Sequence, residues 1–277
     1  MYNKTVLIIG GTGTLGTALI DVILPMNPHV IRIFSRNEHK QFLLRQKYGE
    51  PYGNSKFRYF IGDIRDKERL KMAFNGVDIA INCAAIKHVS LAEENPFEAV
   101  KTNIIGVQNA LECAVENNIE CFLQISTDKS VNPVNLYGCT KAVAEYLTLD
   151  TVNWQGYNKT RFIVVRSGNI MASSGSVFEI WDNQKKCGKP LTVTDMNAVR
   201  YMTTAENIAK SVISIADNQP TGLYVLDMPK YKLSELINKY YHDCSIEVTG
   251  LKKGEKLYEE LYRNDESFTL WEVKNDG

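Results

Sequence analysis

Short β-branched runs alternate with stretches of helical period along most of the chain, and this alternation narrows the fold more than any other feature. The runs are residues 5–9, 30–34, 57–61 and 78–82, each followed by an amphipathic stretch, at 14–24, 38–48, 67–74 and 96–117. Strands apolar on both faces, each followed by a helix that returns the chain, specify a parallel sheet covered on both sides. The pattern continues through 121–125, a helix from about 137 to 152, and 162–166, which supplies the strands of two mononucleotide halves. Beyond Arg166 the regularity weakens. Residues 173–176 are small and polar, 185–190 carry a loop signature, and 204–217 return as an amphipathic helix. The expected fold class is α/β, a doubly wound parallel sheet over residues 1–167, completed by about 203–228. A smaller, interleaved lobe over 168–277 would complete the chain, and residues 49–55 read as a turn-rich connection.

The turn after the first run reads GGTGTLG, residues 10–16, and opens the first helix. Gly11, Gly13 and Gly16 satisfy GxGxxG in the strand–turn–helix setting it requires, and Gly10, Gly13 and Gly16 recur at three-residue intervals. Glycines let the backbone close on a pyrophosphate, whose charge meets the unpaired N–H groups of the helix start. The motif alone is weak; its position makes it a dinucleotide site. The second run ends Phe34-Ser35-Arg36, where an NAD enzyme carries an acidic residue for the ribose hydroxyls. Arg36 suits a 2′-phosphate instead, so the expected cofactor is NADP; the competing reading is a solvated arginine after a strand.

Ser126-Thr127-Asp128-Lys129 follows the fifth run, and Tyr137 and Lys141 come next at a spacing that places both on one helix face. An ammonium beside a phenol favours the phenolate, so such a tyrosine can take an alcohol proton as hydride leaves the same carbon. In isolation the pair equally fits a core tyrosine with a surface lysine. Composition excludes other classes. Lys+Arg and Asp+Glu both number 32, which leaves no positive excess for nucleic acid. No apolar run approaches the ~20 residues of a membrane span, so no membrane insertion is expected. Residues 1–4 lead directly into the first run and leave no room for a secretion leader, so a cytoplasmic location is expected. Cys83, Cys113, Cys121, Cys139, Cys187 and Cys244 never form a CxxC pair and read as reduced thiols. His29, His39, His88 and His242 lack metal-ligand spacing, so no metal is expected. Trp154, Trp181 and Trp271 read as core or interface residues.

Beyond these motifs the chain resembles the extended short-chain dehydrogenase/reductases, and within them the inverting UDP-N-acetylglucosamine 4,6-dehydratases that begin pseudaminic acid biosynthesis. The segments carrying the resemblance are GGTGTLG (10–16), SRNEHKQ (35–41), FIGDIRD (60–66), AAIKHVSLAEENP (84–96), KTNIIG (101–106), STDKSVNPVNLYGCTK (126–141), RSGNI (166–170) and GEKLYE (254–259). The resemblance implies a Rossmann domain with a C-terminal substrate lobe. It implies that NADP is held by Gly10, Gly13, Thr14, Leu15, Gly16, Ser35, Arg36, Lys40, Asp63, Ile64, Ala84, Ala85, Lys87, Tyr137 and Lys141, with Asp63 on the adenine amine. A UDP-sugar would be held by Lys87, His88, Asn103, Asn169, Arg200, Lys252 and Glu255. Arg200 would contact the diphosphate, and Asn103 would help hold the catalytic network.

Among the catalytic residues so implied, Thr127 bonds a substrate hydroxyl and Tyr137 takes the 4-hydroxyl proton. Lys129 removes the carbon-5 proton as a neutral amine, its pKa lowered by burial and by nearby Lys141, and Asp128 protonates the departing 6-hydroxyl. The product implied is a UDP-4-keto-6-deoxy-L-arabino-hexosamine. Retaining dehydratases of similar fold carry Asp-Glu where this chain has Asp128-Lys129. A UDP-sugar epimerase using the same Tyr137 and Lys141, or a redox-inactive NADP-sensing protein, are the other readings. The resemblance further implies a homo-oligomer joined through the helices at 96–117 and 137–152. Ser174 and Asn197 stand where such enzymes carry arginine, and Lys252-Lys253 replaces Arg-Pro, which leaves the exact sugar nucleotide open.

Overall fold

The computed structural model describes residues 1–49, 56–173 and 175–273; Ser174 and all but the first residue of the connection expected at 49–55 lie outside them. Six strands, β1 (Thr5–Ile9), β2 (Val30–Ser35), β3 (Phe57–Ile61), β4 (Ile79–Asn82), β5 (Cys121–Thr127) and β6 (Arg161–Ser167), lie in the order β3-β2-β1-β4-β5-β6. Strands Gly222–Asp227 and Thr269–Glu272 extend the sheet beyond β6, and every pairing is parallel. This is the doubly wound order, with its reversal between β1 and β4, where a crevice opens at the carboxyl ends of the strands.

Alternation along β1 shows why the sheet is covered on both faces. Val6 and Ile8 pack against Leu19 and Ile20 of α1 (Thr14–Ile23) and Ile208 and Val212 of helix Ala205–Asn218. Leu7 and Ile9 point the other way, into a core with Leu70 and Phe74 of helix Lys67–Phe74 and Ala110 and Leu111 of helix Gly106–Glu116. Each such side chain, fully buried, contributes about 1.5–3 kcal/mol.

The helix expected over 96–117 is interrupted. It runs as Pro96–Val100, a π-helical turn at Lys101–Ile105, and Gly106–Glu116. Asn103, on that turn, accepts from the Ile86 N–H at 2.8 Å and donates to the Ile86 carbonyl at 3.0 Å, which fixes the backbone entering the crevice.

After β6, strands Asn169–Ile170, Val199–Thr203 and Lys230–Lys232 form a small sheet, and Leu191–Val193 pairs with Ile246–Val248. Helices Val177–Lys186 and Leu233–Tyr240 close a separate core around Trp181, Leu236, Ile237 and Tyr241. Trp181 is buried and its indole donates to the Thr192 carbonyl at 3.0 Å, whereas Trp154 is exposed. The loop expected at 185–190 begins two residues late, because Lys185 and Lys186 form the last turn of a helix, where cations meet the free carbonyls. All six cysteines are free, and no helix among the described residues is long and apolar enough to cross a membrane.

Candidate active site

A cleft of ≈ 1550 Å³ opens at the sheet reversal, walled by the ends of β1, β2, β4 and β5 and by the small lobe. Its floor is the glycine turn. Gly10 takes φ +82°, and a Cβ there would lie 2.8 Å from the Ala84 nitrogen; one at Gly16 would lie 2.6 Å from the Gly11 Cα. Only glycine permits that approach, and it leaves the first N–H groups of α1, at Thr14 and Leu15, facing the cleft with no acidic residue in the first turn. Ala84, Ala85 and Ile64 complete this wall.

At the end of β2, Ser35, Arg36 and Lys40 line the cleft, and Asn37 caps the following helix by accepting from the Lys40 N–H at 2.8 Å. Asp63 lies behind them, with Arg65 at 2.7 Å and Arg36 at 3.6 Å. Partial burial pushes the Asp63 carboxyl up, but Arg65 and then Arg36 hold it below the usual range. Lys87 and His88 line the cleft further along; burial pushes the Lys87 amine down.

The chemistry-bearing residues meet where β5 ends. Thr127 donates to Asp128 Oδ1 at 2.8 Å, and Lys129 Nζ donates to the same oxygen at 3.0 Å and to Asn169 Oδ1 at 3.2 Å. Tyr137 enters from helix Leu136–Asp150, capped by Asn135, whose side chain accepts from the Gly138 N–H at 2.8 Å. A Cβ at Gly138 would stand 2.2 Å from the Lys129 carbonyl oxygen, so this glycine sets how closely the helix approaches the Asp128–Ser130 turn. Thr127, Lys129, Tyr137, Lys141 and Asn169 line the cleft, and Asp128, fully buried, sits just behind Lys129.

Two electrostatic expectations are corrected. Lys129 was expected to be driven neutral. Burial does push its amine down, but Asp128 and Glu259 more than offset this, and the amine is held above the ordinary lysine range. The lysine pushed down is Lys141, to about 8, by burial that Glu145 and Cys83 only partly oppose. Lys141 was also expected to acidify Tyr137. Instead its Nζ donates to the Ile125 carbonyl. Burial pushes the Tyr137 phenol up to about 12, with Lys129 the cation that opposes this and Asp128 reinforcing it.

In the small lobe, Arg200 and Glu255 line the cleft, but as partners. Arg200 donates to Glu255 Oε1 at 2.9 Å and to the carbonyls of Val199 and Leu257, while the Lys252 N–H donates to Glu255 Oε2 at 3.4 Å. Asn103 lies in the wall rather than on its surface, its amide engaged by Ile86 and by Thr140 Oγ1.

Sequence reasoning missed Glu259, whose side chain is 4% exposed and reaches Lys129 Nζ at 3.5 Å. It also missed the buried hydroxyls of Thr102 and Ser126, which line the cleft without a hydrogen-bond partner, as does Glu259 Oε2. Glu259 belongs to the GEKLYE segment, but nothing local in that segment shows that it meets Lys129. Among the described residues no cluster of three or more His, Cys, Asp or Glu could hold a metal.

Comparison with known proteins places this geometry. A family profile described as polysaccharide biosynthesis protein matches residues 6–275. The chain is 41% identical to an uncharacterized membrane protein of Methanocaldococcus jannaschii, over 99% of this chain and 84% of that one. It is 39% identical to a UDP-N-acetylglucosamine 4,6-dehydratase (inverting) of Campylobacter jejuni, over 99% of this chain and 82% of the relative. Among solved structures, Pen from Bacillus thuringiensis superimposes with a TM-score of 0.91 at 39% identity, covering 95% of this chain and 85% of that one.

Proposed function

The chain belongs to the polysaccharide biosynthesis protein family, and from that membership and the cleft we propose an NADP-dependent UDP-N-acetylglucosamine 4,6-dehydratase that inverts carbon 5. At the coarser level it is a sugar-nucleotide dehydratase or epimerase of the short-chain dehydrogenase/reductase superfamily. One observation carries the finer reading: a carboxylate and an amine, Asp128 and Lys129, in direct contact beside Tyr137. An epimerase needs no acid–base pair to expel water.

The cleft fits a dinucleotide. Its glycine floor would be filled by any Cβ, the Thr102 and Ser126 hydroxyls face it unpartnered, and Arg36 and Lys40 suit a 2′-phosphate. Gly10, Gly13, Gly16, Thr14 and Leu15 would hold the pyrophosphate, with Asp63 toward the adenine. Bound there, the nicotinamide supplies the hydride acceptor and, later in the turnover, the hydride donor.

The residues of the chain do the proton work. Tyr137, as the phenolate that Lys129 and the positive charge of a bound nicotinamide would favour against burial, takes the proton of the 4-hydroxyl, and the ketone that results acidifies carbon 5. The resting ion pair becomes competent when one proton passes from Lys129 Nζ to Asp128 Oδ1 along their 3.0 Å hydrogen bond, giving amine and acid. The total proton count of the pair is unchanged, so the strongly held ammonium and a lysine base are compatible. The amine then takes the carbon-5 proton, the C–H pair becomes the C5–C6 double bond, and the acid protonates the departing 6-hydroxyl as water. Ammonium and carboxylate are thereby restored. Asn169 orients the amine, Lys252 presents positive charge to a nucleoside diphosphate, and Arg200 would do so by exchanging Glu255 for a phosphate oxygen. Exposed Phe97 and Ile105 on one helical segment and Val143 and Tyr146 on the Tyr137 helix support a homo-oligomer joined through these faces.

Proton NMR with UDP-N-acetylglucosamine in D2O tests this. The expected result is a carbon-6 methyl signal, deuterium at carbon 5 and L-arabino couplings, with Lys129→Ala forming no methyl while keeping its cofactor. A carbon-4 epimer without a methyl makes the protein an epimerase, and no turnover with cofactor bound overturns the substrate assignment.

A further inference from the structure

Lys129 comes from the end of β5, and the acceptors around its amine come from three parts of the chain. Asp128 is its neighbour, Asn169 follows β6, and Glu259 arrives from a late segment held to the small lobe by the Val199–Tyr258 bridge. The Val199 N–H donates to the Leu257 carbonyl at 2.9 Å, which brings the Glu259 backbone beside the same strand. Asp128 and Glu259 therefore flank one ammonium, at 3.0 and 3.5 Å. Each has a second, buried oxygen without a hydrogen-bond partner, so neither carboxylate is saturated by the protein. Full solvation of these oxygens is ruled out by burial, and leaving a charged oxygen in this state is costly unless a nearby cation offsets it.

We infer that Glu259 is a positioning residue for Lys129: it holds the ammonium together with Asp128 and thereby keeps one proton on the Asp128–Lys129 pair. The inference rests on the dehydratase reading for its consequence, since elimination needs that proton to reach the leaving hydroxyl. Without the clamp the amine would give its proton to solvent at lower pH, leaving a base but no acid for the 6-hydroxyl. Among the described residues, the other charged or titratable groups facing this centre are Tyr137 beside it and Lys256, whose Nζ is 3.9 Å from Glu259 Oε2 and donates to the Val131 carbonyl. Lys256 shares Glu259 with Lys129, on the other carboxylate oxygen, and keeps its hydrogen bond on Val131. Lys141 faces Glu145 and the Ile125 carbonyl, outside the reach of Glu259.

That separation supplies an internal control. In cofactor-loaded protein labelled with 13C at lysine Cε, the Lys129 and Lys141 signals are assigned by their loss in Lys129→Arg and Lys141→Arg, and their titration midpoints are read in the parent and in Glu259→Gln. The Lys129 midpoint is expected to fall by about one pH unit or more, the size of effect an opposite charge within ~4–6 Å produces, while Lys141 stays put. Glu259→Asp, which keeps the charge but draws it back, is expected to fall between the two, and it decides the matter alone if Glu259→Gln does not fold. An unmoved Lys129 midpoint, or equal movement of both lysines, overturns the clamp. The titration needs no turnover. If the parent forms no methyl product while the Lys129 midpoint still falls in Glu259→Gln, the dehydratase reading has failed and the clamp has not.

Discussion

Lys129 and Lys141 are both withdrawn from solvent, yet their surroundings treat them oppositely. A fifth of the Lys129 side chain remains open to the cleft, between two carboxylates that keep it charged. Lys141 is buried with a carbonyl as its hydrogen-bond partner, so burial dominates and its amine falls to about 8. The sequence shows Asp128 beside Lys129, but the second carboxylate, Glu259, lies far along the chain and its contact is not visible there. The consequence for stability has a definite sign. Between about pH 8 and the ordinary lysine value of 10.5, the unfolded chain still binds the Lys141 proton and the folded one does not, so stability rises with pH in that window. Below pH 8 both states are protonated and the folded state carries a buried charge. Lys141→Met is therefore expected to be more stable than the parent below pH 8 in cofactor-free protein, with the difference shrinking up to pH 10.5. Thermal unfolding across pH checks this, and a pH-independent difference would remove Lys141 as its source. Tyr137 opposes the trend only above pH 10, where its raised phenol pKa makes the unfolded state ionise first.

At the scale of elements, the site depends on how closely the helix Leu136–Asp150 seats on the turn Asp128–Ser130. Gly138 permits the contact, and Ser130 Oγ fastens it from a place where its one hydrogen can go to the Thr127 carbonyl at 2.6 Å or to Glu145 Oε1 at 2.7 Å. Gly138→Ala is expected to push the helix away, destabilising the protein by about 1–3 kcal/mol. Turnover should fall further than cofactor affinity, because the phosphate turn lies on a different element. Urea unfolding and cofactor titration measure the two effects, and unchanged stability with full turnover would show that the contact relaxes freely. The inner elements of the main sheet were legible because strands such as β1 and β4 bury both faces and helices such as Ala205–Asn218 show one apolar stripe. The small lobe was not. Its strands run two to five residues, as in Asn169–Ile170 and Val199–Thr203, too short for a period to declare itself. The π turn at Lys101–Ile105 was invisible for another reason: it goes with Asn103 binding Ile86, a contact between segments. The glycine turn and the Tyr137–Lys141 spacing were legible because both are local, whereas the Arg200–Glu255 pairing and the Glu259 contact join distant segments.

At the scale of the whole molecule, a buried polar joint forms around Arg166. Its side chain, on β6, is 2% exposed and meets Glu145 of the Tyr137 helix at 2.7 Å and Glu266 of the late segment at 3.1 Å. One guanidinium thus ties the sheet, the catalytic helix and the segment that brings Glu259. Arg166→Met leaves two carboxylates facing each other in the interior, and breaking such a buried assembly costs about 3–5 kcal/mol. Chemical denaturation of cofactor-free protein is the check, and a cost below about 1 kcal/mol would mean that the carboxylates find other partners. The same long-range stitching bears on how the chain acquires activity as it is made. The glycine turn after β1 leaves the ribosome well before Glu259, Glu266 and the strand Thr269–Glu272. Domains fold as synthesis proceeds, and contacts of large sequence separation form late because their loop closure is costly. A nascent chain can therefore build the glycine turn and its helix well before Glu259 has been synthesised, so under the proposed function cofactor binding precedes chemical competence as each molecule is made.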